Sequence, residues 1–507
     1  MQRLLLNSAL SGIFLLSGVC QAAPPKPPTT PPTAAQVEHL LRRFAFSAAP
    51  AEVAAVQAEG IAAWLATQEQ PNTIDDTGSE LEQVPTALNA DGSYPDYNVF
   101  ERIVYQHMIL SKRELQAKME LQWLDHFAVG LQSVGDPAIM YHYDQTVRAD
   151  ALGNFGQLLA DVSIEPAMLY WLSNNGNSGS KPNENFAREV MQLYSIGLYK
   201  LNKDGSQVIS GGLPVPNYSQ EDVEQVARAV TGYSVVVSQT DLNPETRFSV
   251  TYTPSNHYAG GLHFLGAHQN VPAKNGLAIA YVANVLAHQP STGPFIVTEL
   301  LQRFVTETPS PQFISDIVAV WNANVDAPDQ IAQVITAIVN HPDFQAAYHQ
   351  LPKQPVEMVF GALREMPGML QASSTASPGG SLLYELNSLG QQLFYPPTVF
   401  SFYRPGNVES TVNTGAILTR TGVFANITNV QPSWQYVDTY LDIPTLRTLI
   451  GSTDATKIAT YLCNALIDGG TPAQVDLIRN YLGPTPDNNQ IQGAIWILLN
   501  TPDFGVN

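Results

Sequence analysis

Residues 182–197 read Pro182-Asn183-Glu184-Asn185-Phe186-Ala187-Arg188-Glu189-Val190-Met191-Gln192-Leu193-Tyr194-Ser195-Ile196-Gly197. On a wheel of 3.6 residues per turn, Glu184, Asn185, Arg188, Glu189 and Gln192 share one arc. Phe186, Val190, Leu193 and Tyr194 share the opposite arc. Pro182 and Asn183 give a start signal and Gly197 a stop. The stretch predicts an amphipathic helix whose polar side gathers two carboxylates, a guanidinium and two amides. Such a strip is suited to binding a metal, anchoring a substrate or locking neighbouring helices. The residues alone leave these three uses open.

The same helical period runs through most of the chain. Residues 36–67 predict two short helices, and 70–97 read as loop. Helical patterns follow at 99–130, 143–161, 166–172, 219–231, 275–288, 295–305, 310–321 and 331–340. Ser219 and Asp222 have the spacing of a capping box. Residues 233–254 break the pattern: two β-rich runs flank a polar turn and predict a hairpin. A polar stretch at 371–381 precedes a proline-rich segment at 393–405, after which the chain is helical again. Residues 328–344 and 486–504 echo each other, each running Pro-Asp, an apolar helix, then Pro-Asp-Phe. The expected fold class is mainly α, one large multi-helix domain with a small β-hairpin excursion.

The N-terminus reads as an export signal. Arg3 precedes an apolar run from Leu4 to Val19, followed by small residues to Ala22. Residues 1–22 are expected to be a signal peptide, 23–35 a proline-rich linker and 36–507 the folded domain. A periplasmic or extracellular location follows. Lipid anchoring at Cys20 is disfavoured, because Val19 stands where a small residue is wanted. No later run of about 18 apolar residues predicts a membrane span. Of the two cysteines, only Cys463 would outlast cleavage, so an intrachain disulfide is not expected. Cys463 lies in an apolar helical pattern and reads as a core thiol.

Lys and Arg total 24 against 44 Asp and Glu, a formal charge of -20. That balance argues against nucleic acid and anionic polymers as partners. Neutral or cationic substrates and ligands fit better.

The order of several segments resembles a large bacterial family, domain of unknown function 1800 (DUF1800). His39-Leu-Leu-Arg-Arg-Phe-Ala-Phe46 looks like its start, and Lys118-Met-Glu-Leu-Gln-Trp-Leu-Asp-His-Phe127 like its Trp-x-x-His-Phe segment. Arg148-Ala-Asp-Ala-Leu-Gly-Asn-Phe155 and Pro182-Asn-Glu-Asn-Phe-Ala-Arg-Glu189 look like its two most specific motifs. Tyr218-Ser-Gln-Glu-Asp-Val223, Ala229-Val-Thr-Gly232, Pro355-Val-Glu-Met-Val-Phe-Gly-Ala-Leu-Arg364 and Leu389-Gly-Gln-Gln-Leu-Phe-Tyr-Pro-Pro-Thr-Val-Phe400 follow in order. The resemblance covers nearly the whole chain after the leader. One departure is Leu262, which stands at the position of a family lysine between His257 and Phe264-Leu-Gly266. The resemblance implies no established activity. It implies an exported bacterial protein that travels with sulfatase-like partners.

The candidate site joins His126, Glu184, Arg188 and Glu189, with Asp222, Arg228 and His257 as contributors. His126 sits on an apolar stripe with Leu115, Met119 and Trp123. It reads either as a satisfied core histidine or as a metal ligand or general base. Glu184 or Glu189 is its expected partner. A divalent metal on His126 and Glu189 is one option; the Glu-x-x-His pairs of a di-metal bundle and the loop pattern of a calcium site are absent. Glu184 and Arg188, spaced i, i+4, read equally as a structural ion pair. His257, His263 and His268 cluster in a glycine-rich stretch read as a loop without a rigid scaffold. No Gly-x-Ser-x-Gly or phosphate-loop pattern occurs. Tyr395, Phe400, Phe402 and Tyr403, beside Arg404 and Pro405, suit a groove or loop packing. Two functions remain: an exported enzyme, metal-assisted in one form, or a non-catalytic envelope scaffold or partner-binding protein.

Overall fold

Side-chain caps set many of the helix starts. Asn183 accepts from the Asn185 amide and opens the strip helix, Glu184–Gln192. Ser219 and Asp222 form the expected capping box at the head of Gln220–Ala229. Asp136 accepts from the amides of Ala138 and Ile139, with Pro137 in the first turn of Pro137–Asp150. Gly197 stops the chain after the strip helix at φ 72°, a conformation that favours glycine.

The computed structural model describes residues 31–269, 277–348, 351–366, 381–402, 414–428 and 441–506. The segment expected to be a leader, most of the expected linker, the 371–380 stretch, and Tyr403, Arg404 and Pro405 lie outside the described residues. Among the described residues, 23 α-helices stand against three two-stranded antiparallel hairpins, so the fold is mainly α.

Several predicted helices are divided. Residues 36–67 form three helices, Ala34–Phe44, Pro50–Glu59 and Ile61–Gln68. The 99–130 pattern splits into Val99–Leu110 and Glu114–His126, and Gly153 separates Pro137–Asp150 from Phe155–Ile164. The predicted hairpin pairs Tyr233–Val237 with Phe248–Tyr252. Two further hairpins were not expected, Ile209–Ser210 with Leu213–Pro214 and Leu262–Phe264 with Ala267–Gln269. The last puts His263 opposite His268 in a strand pair, so the glycine-rich stretch has a scaffold after all. Both copies of the internal echo end by burying a phenylalanine, Phe344 and Phe504.

One continuous apolar core runs from Val37 to Phe504 and includes Cys463, which burial pushes up to about 11. Ion pairs are set into this core. Lys118 reaches Glu357 at 2.5 Å, and Arg42 bridges Glu365 and Asp468. Arg148 holds Glu120 and Asp144, each at 3.0 Å, and both carboxylates are fully buried. Such buried charges persist only where paired and hydrogen-bonded.

Candidate functional site

Three separate motifs meet on one imidazole. His126 is edge-on to Phe127 and Trp123 from its own segment, with ring centroids 4.5 and 5.7 Å away. Phe155, from the Arg148 motif, lies at 6.5 Å, and Tyr194, from the strip motif, at 6.1 Å. Hydrogen bonds tie the same segments together. Trp123 Nε1 donates to the Ala151 carbonyl at 2.9 Å, and Tyr143 Oη to the Phe127 carbonyl at 2.7 Å.

Both ring nitrogens of His126 are engaged. Nδ1 faces Glu299 Oε2 at 2.9 Å, and Nε2 the Tyr194 carbonyl at 3.2 Å. A carbonyl and a carboxylate only accept, so a ring that serves both is doubly protonated. Burial works against that charge, but Glu299, the Tyr194 carbonyl and Asp125 outweigh it and raise the pKa above the ordinary histidine value. Glu299 Oε1 also accepts from Gln122 Nε2 at 2.8 Å. The carboxylate is thus gripped by two donors.

The expected partner of His126 was a strip carboxylate; the observed one is Glu299. Glu189 shares the strip helix, Glu184–Gln192, but its Oε2 is buried without a hydrogen-bond partner. Burial raises its pKa against the pull of Arg188. A metal held by His126 and Glu189 does not fit this arrangement, because both nitrogens that would ligate are already committed. Among the described residues, no group of three or more His, Cys, Asp or Glu side chains is placed to hold a metal.

His126 and Glu299 open onto a cleft of about 470 Å³. Asp125, Gln192, Phe295, Thr298, Phe400 and Ser401 also line it. The Thr292–Phe304 helix supplies Phe295, Thr298 and Glu299 from successive turns. Gly197 belongs to the wall, and a Cβ there would stand 2.9 Å from the Phe295 ring. Ser401 donates its hydroxyl to Asp125, whose carboxylate also accepts from the Phe402 amide. Ser401 holds a left-handed backbone at φ 63°. Non-glycine residues in that region tend to mark functional segments. Burial raises Asp125, while Arg303 and the Ser401 hydroxyl draw it down. The cleft therefore offers two proton-handling pairs, His126–Glu299 and Ser401–Asp125. These acidic and imidazole groups, set in a largely apolar lining that includes Leu193, Leu198 and Leu201, suit general acid–base work on a neutral or cationic ligand.

The other sequence candidates lie apart from this lining. Glu184 and Arg188 pair at 3.0 Å with about 40% of each side chain exposed (40% and 41%). Gln220 joins them, donating to Glu184 at 2.9 Å and accepting from Arg188 at 3.2 Å. Asp222 caps its helix and accepts from the Leu265 amide at 2.8 Å, which pins the 262–269 hairpin. Burial opposes its charge, but the Leu265 and Ser219 bonds hold its pKa below the usual range. Arg228 pairs with Glu224 at 3.4 Å and covers the Tyr258 ring. His257 is buried, with Nδ1 on the Thr231 carbonyl at 3.0 Å. Of the strip, Gln192 alone reaches the cleft lining.

Glu299, Gln122, Asp125 and Ser401 were missed from sequence. A lone carboxylate within the largely apolar 295–305 pattern was the available signal for Glu299. Asp125 is the neighbour of His126.

Residues 39–506 match the family described as "Protein of unknown function (DUF1800)". The chain belongs to the DUF1800 family. Neither the curated proteins nor the solved structures searched gave a match. In this DUF1800 chain the motif residues do two jobs. Some build the aromatic housing of His126, and others, such as Arg148, neutralise charge inside the core.

Proposed function

We propose that this DUF1800 protein is an exported envelope or extracellular enzyme that works at the cleft of His126, Glu299, Asp125 and Ser401. The observation that carries the reading is Glu299. It is held by two donors, yet a quarter of its side chain (25%) is exposed on a cleft of small-molecule size. That opening leaves the held carboxylate within reach of a molecule bound in the cleft. In this reading His126 is a positioning residue that fixes and charge-balances Glu299. Glu299 takes or returns a proton at the substrate, and Ser401 with Asp125 forms the second acid–base pair. No metal enters these steps. The two carboxylates favour a neutral or cationic substrate, in keeping with the acidic chain.

The test compares purified mature protein with Glu299→Gln. Both would be incubated with chitopentaose, p-nitrophenyl butyrate and a lysine-rich peptide, and the products read by mass spectrometry. Turnover that Glu299→Gln loses while its melting temperature holds supports the enzyme. No turnover of any probe by the wild type counts against it. That result favours the alternative, a non-catalytic envelope scaffold or partner-binding protein, for which a sulfatase-like exported partner is the first to try. The exposed Glu184–Arg188–Gln220 network would then be a contact surface.

A further inference from the structure

A second cavity, of about 520 Å³, lies between the Pro355–Glu365 and Thr414–Ile427 helices and the C-terminal segment around Gly505. Its walls are largely apolar, from residues such as Pro352, Met358, Leu389, Ile417 and Val506. None of its described lining residues is acidic, but two are cationic, Lys353 and Arg420.

Among the described residues, neither cation is in contact with a counter-ion. Lys353 is 3% exposed, and its Nζ makes no hydrogen bond or ion pair among the described residues. It rests over the Phe504 ring, 4.3 Å from the centroid. The carboxylates it senses, Glu365 and Asp468, are both bound to Arg42, and Glu357 is bound to Lys118. Burial, together with Arg42, draws the Lys353 amine down to about 7. Arg420 Nε is buried with no hydrogen-bond partner. Its Nη1 meets only the Met358 sulfur, at 3.9 Å, a weak acceptor. Gly505 leaves room for this guanidinium, since a Cβ there would stand 3.2 Å from Nη1.

Two cations without a contacting carboxylate at an apolar cavity are costly, because burial penalises an unpaired charge. Other buried cations described above, Arg42, Lys118 and Arg148, each hold a carboxylate. A ligand that brings its own carboxylate would complete the pattern. Arg suits carboxylates through paired N–H donors, and the apolar walls select an aliphatic tail over a polar body. We propose that this cavity binds a medium-chain fatty acid, with its carboxylate on Arg420 and Lys353 and its tail along Met358, Leu389 and Ile417. This site is separate from the His126 cleft and stands or falls independently of the enzymatic reading.

Calorimetric titration of the purified full chain with decanoate, below its micelle concentration, tests this. Decanol and acetate serve as head-group and tail controls. The expected result is saturable one-to-one binding of decanoate, weakened at least tenfold in Arg420→Gln and in Lys353→Met. Decanol and acetate should bind at least tenfold more weakly than decanoate. Gly505→Ala, which crowds Arg420 and leaves both charges in place, should weaken decanoate severalfold and guards against misfolding of the lysine variant. The proposal is overturned if decanoate does not bind the wild type. Equal binding of decanol, or unchanged affinity in Arg420→Gln, would overturn it as well.

Discussion

His126 and Glu299 are 173 residues apart in sequence and 2.9 Å apart in space. The first ends the Glu114–His126 helix and the second lies in Thr292–Phe304. Their pairing makes one wall of the cleft and fixes the charge state of the ring.

Glu299→Gln should lower the His126 pKa, because burial is then opposed only by the Tyr194 carbonyl and Asp125. The linkage has a definite sign. A raised histidine pKa stabilises the fold fully below the unfolded value, about 6.5, and that gain is lost as pH rises through the folded value. Urea denaturation between about pH 5.5 and 9 should show the wild type's advantage over Glu299→Gln shrinking as pH rises. An advantage that grows with pH would contradict the charged pair.

Arg148→Ala should be far more damaging than Arg188→Ala. Arg148 neutralises Glu120 and Asp144, both fully buried. Stranding those carboxylates should cost about 3–5 kcal/mol. Arg188 and Glu184 are each about 40% exposed (41% and 40%). Their separation should cost about 0–1 kcal/mol. Equilibrium unfolding of the two variants side by side checks the ratio.

Glu357 gives the core an acid-sensitive joint. Burial alone would lift its carboxyl, but Lys118 and Arg303, helped by the Gln354 amide, draw it down to about 2. Lys118 shares this single carboxylate with Arg303, and burial leaves the lysine at about 8. A depressed carboxyl stabilises the fold above its unfolded value and loses that effect as pH falls through the folded value. The window therefore runs from 4.5 down to about 2. The contribution is on the order of 3 kcal/mol at neutral pH. Glu357→Gln should flatten this part of a stability-against-pH curve.

Gly197→Ala should destabilise the fold by about 1–2 kcal/mol, since alanine resists the left-handed backbone. It should also press on Phe295, 2.9 Å from the added carbon, and narrow the cleft. Thermal unfolding reads the first effect. A crystal structure of the variant would show the second directly.

The amphipathic strip, the Ser219–Asp222 cap and the hairpin at 233–254 were legible because each is written within one helical turn or one strand pair. The capping box needs only residues three apart, and the strip only a period of 3.6. The helix boundaries near Ser111 and Gly153 were less legible, since apolar periodicity continues across them. The partner of His126 was misassigned for a different reason. Proximity in sequence and density of charge pointed to Glu184 and Glu189, but packing turned Glu184 and Arg188 toward solvent and brought Glu299 to the ring.

By itself the sequence determined the mainly α class, the family, the acidic character and the stripe that places His126 in the core. These follow from local periodicity, composition and ordered motifs. Tertiary structure alone decided which carboxylate meets His126, that Asp125 and Ser401 share its cleft, and that Lys353 and Arg420 face one cavity with no acidic residue in its described lining. The physical reason is that charge pairing and cavity formation depend on distances between segments far apart in the chain, which hydrophobic packing sets and no local pattern encodes.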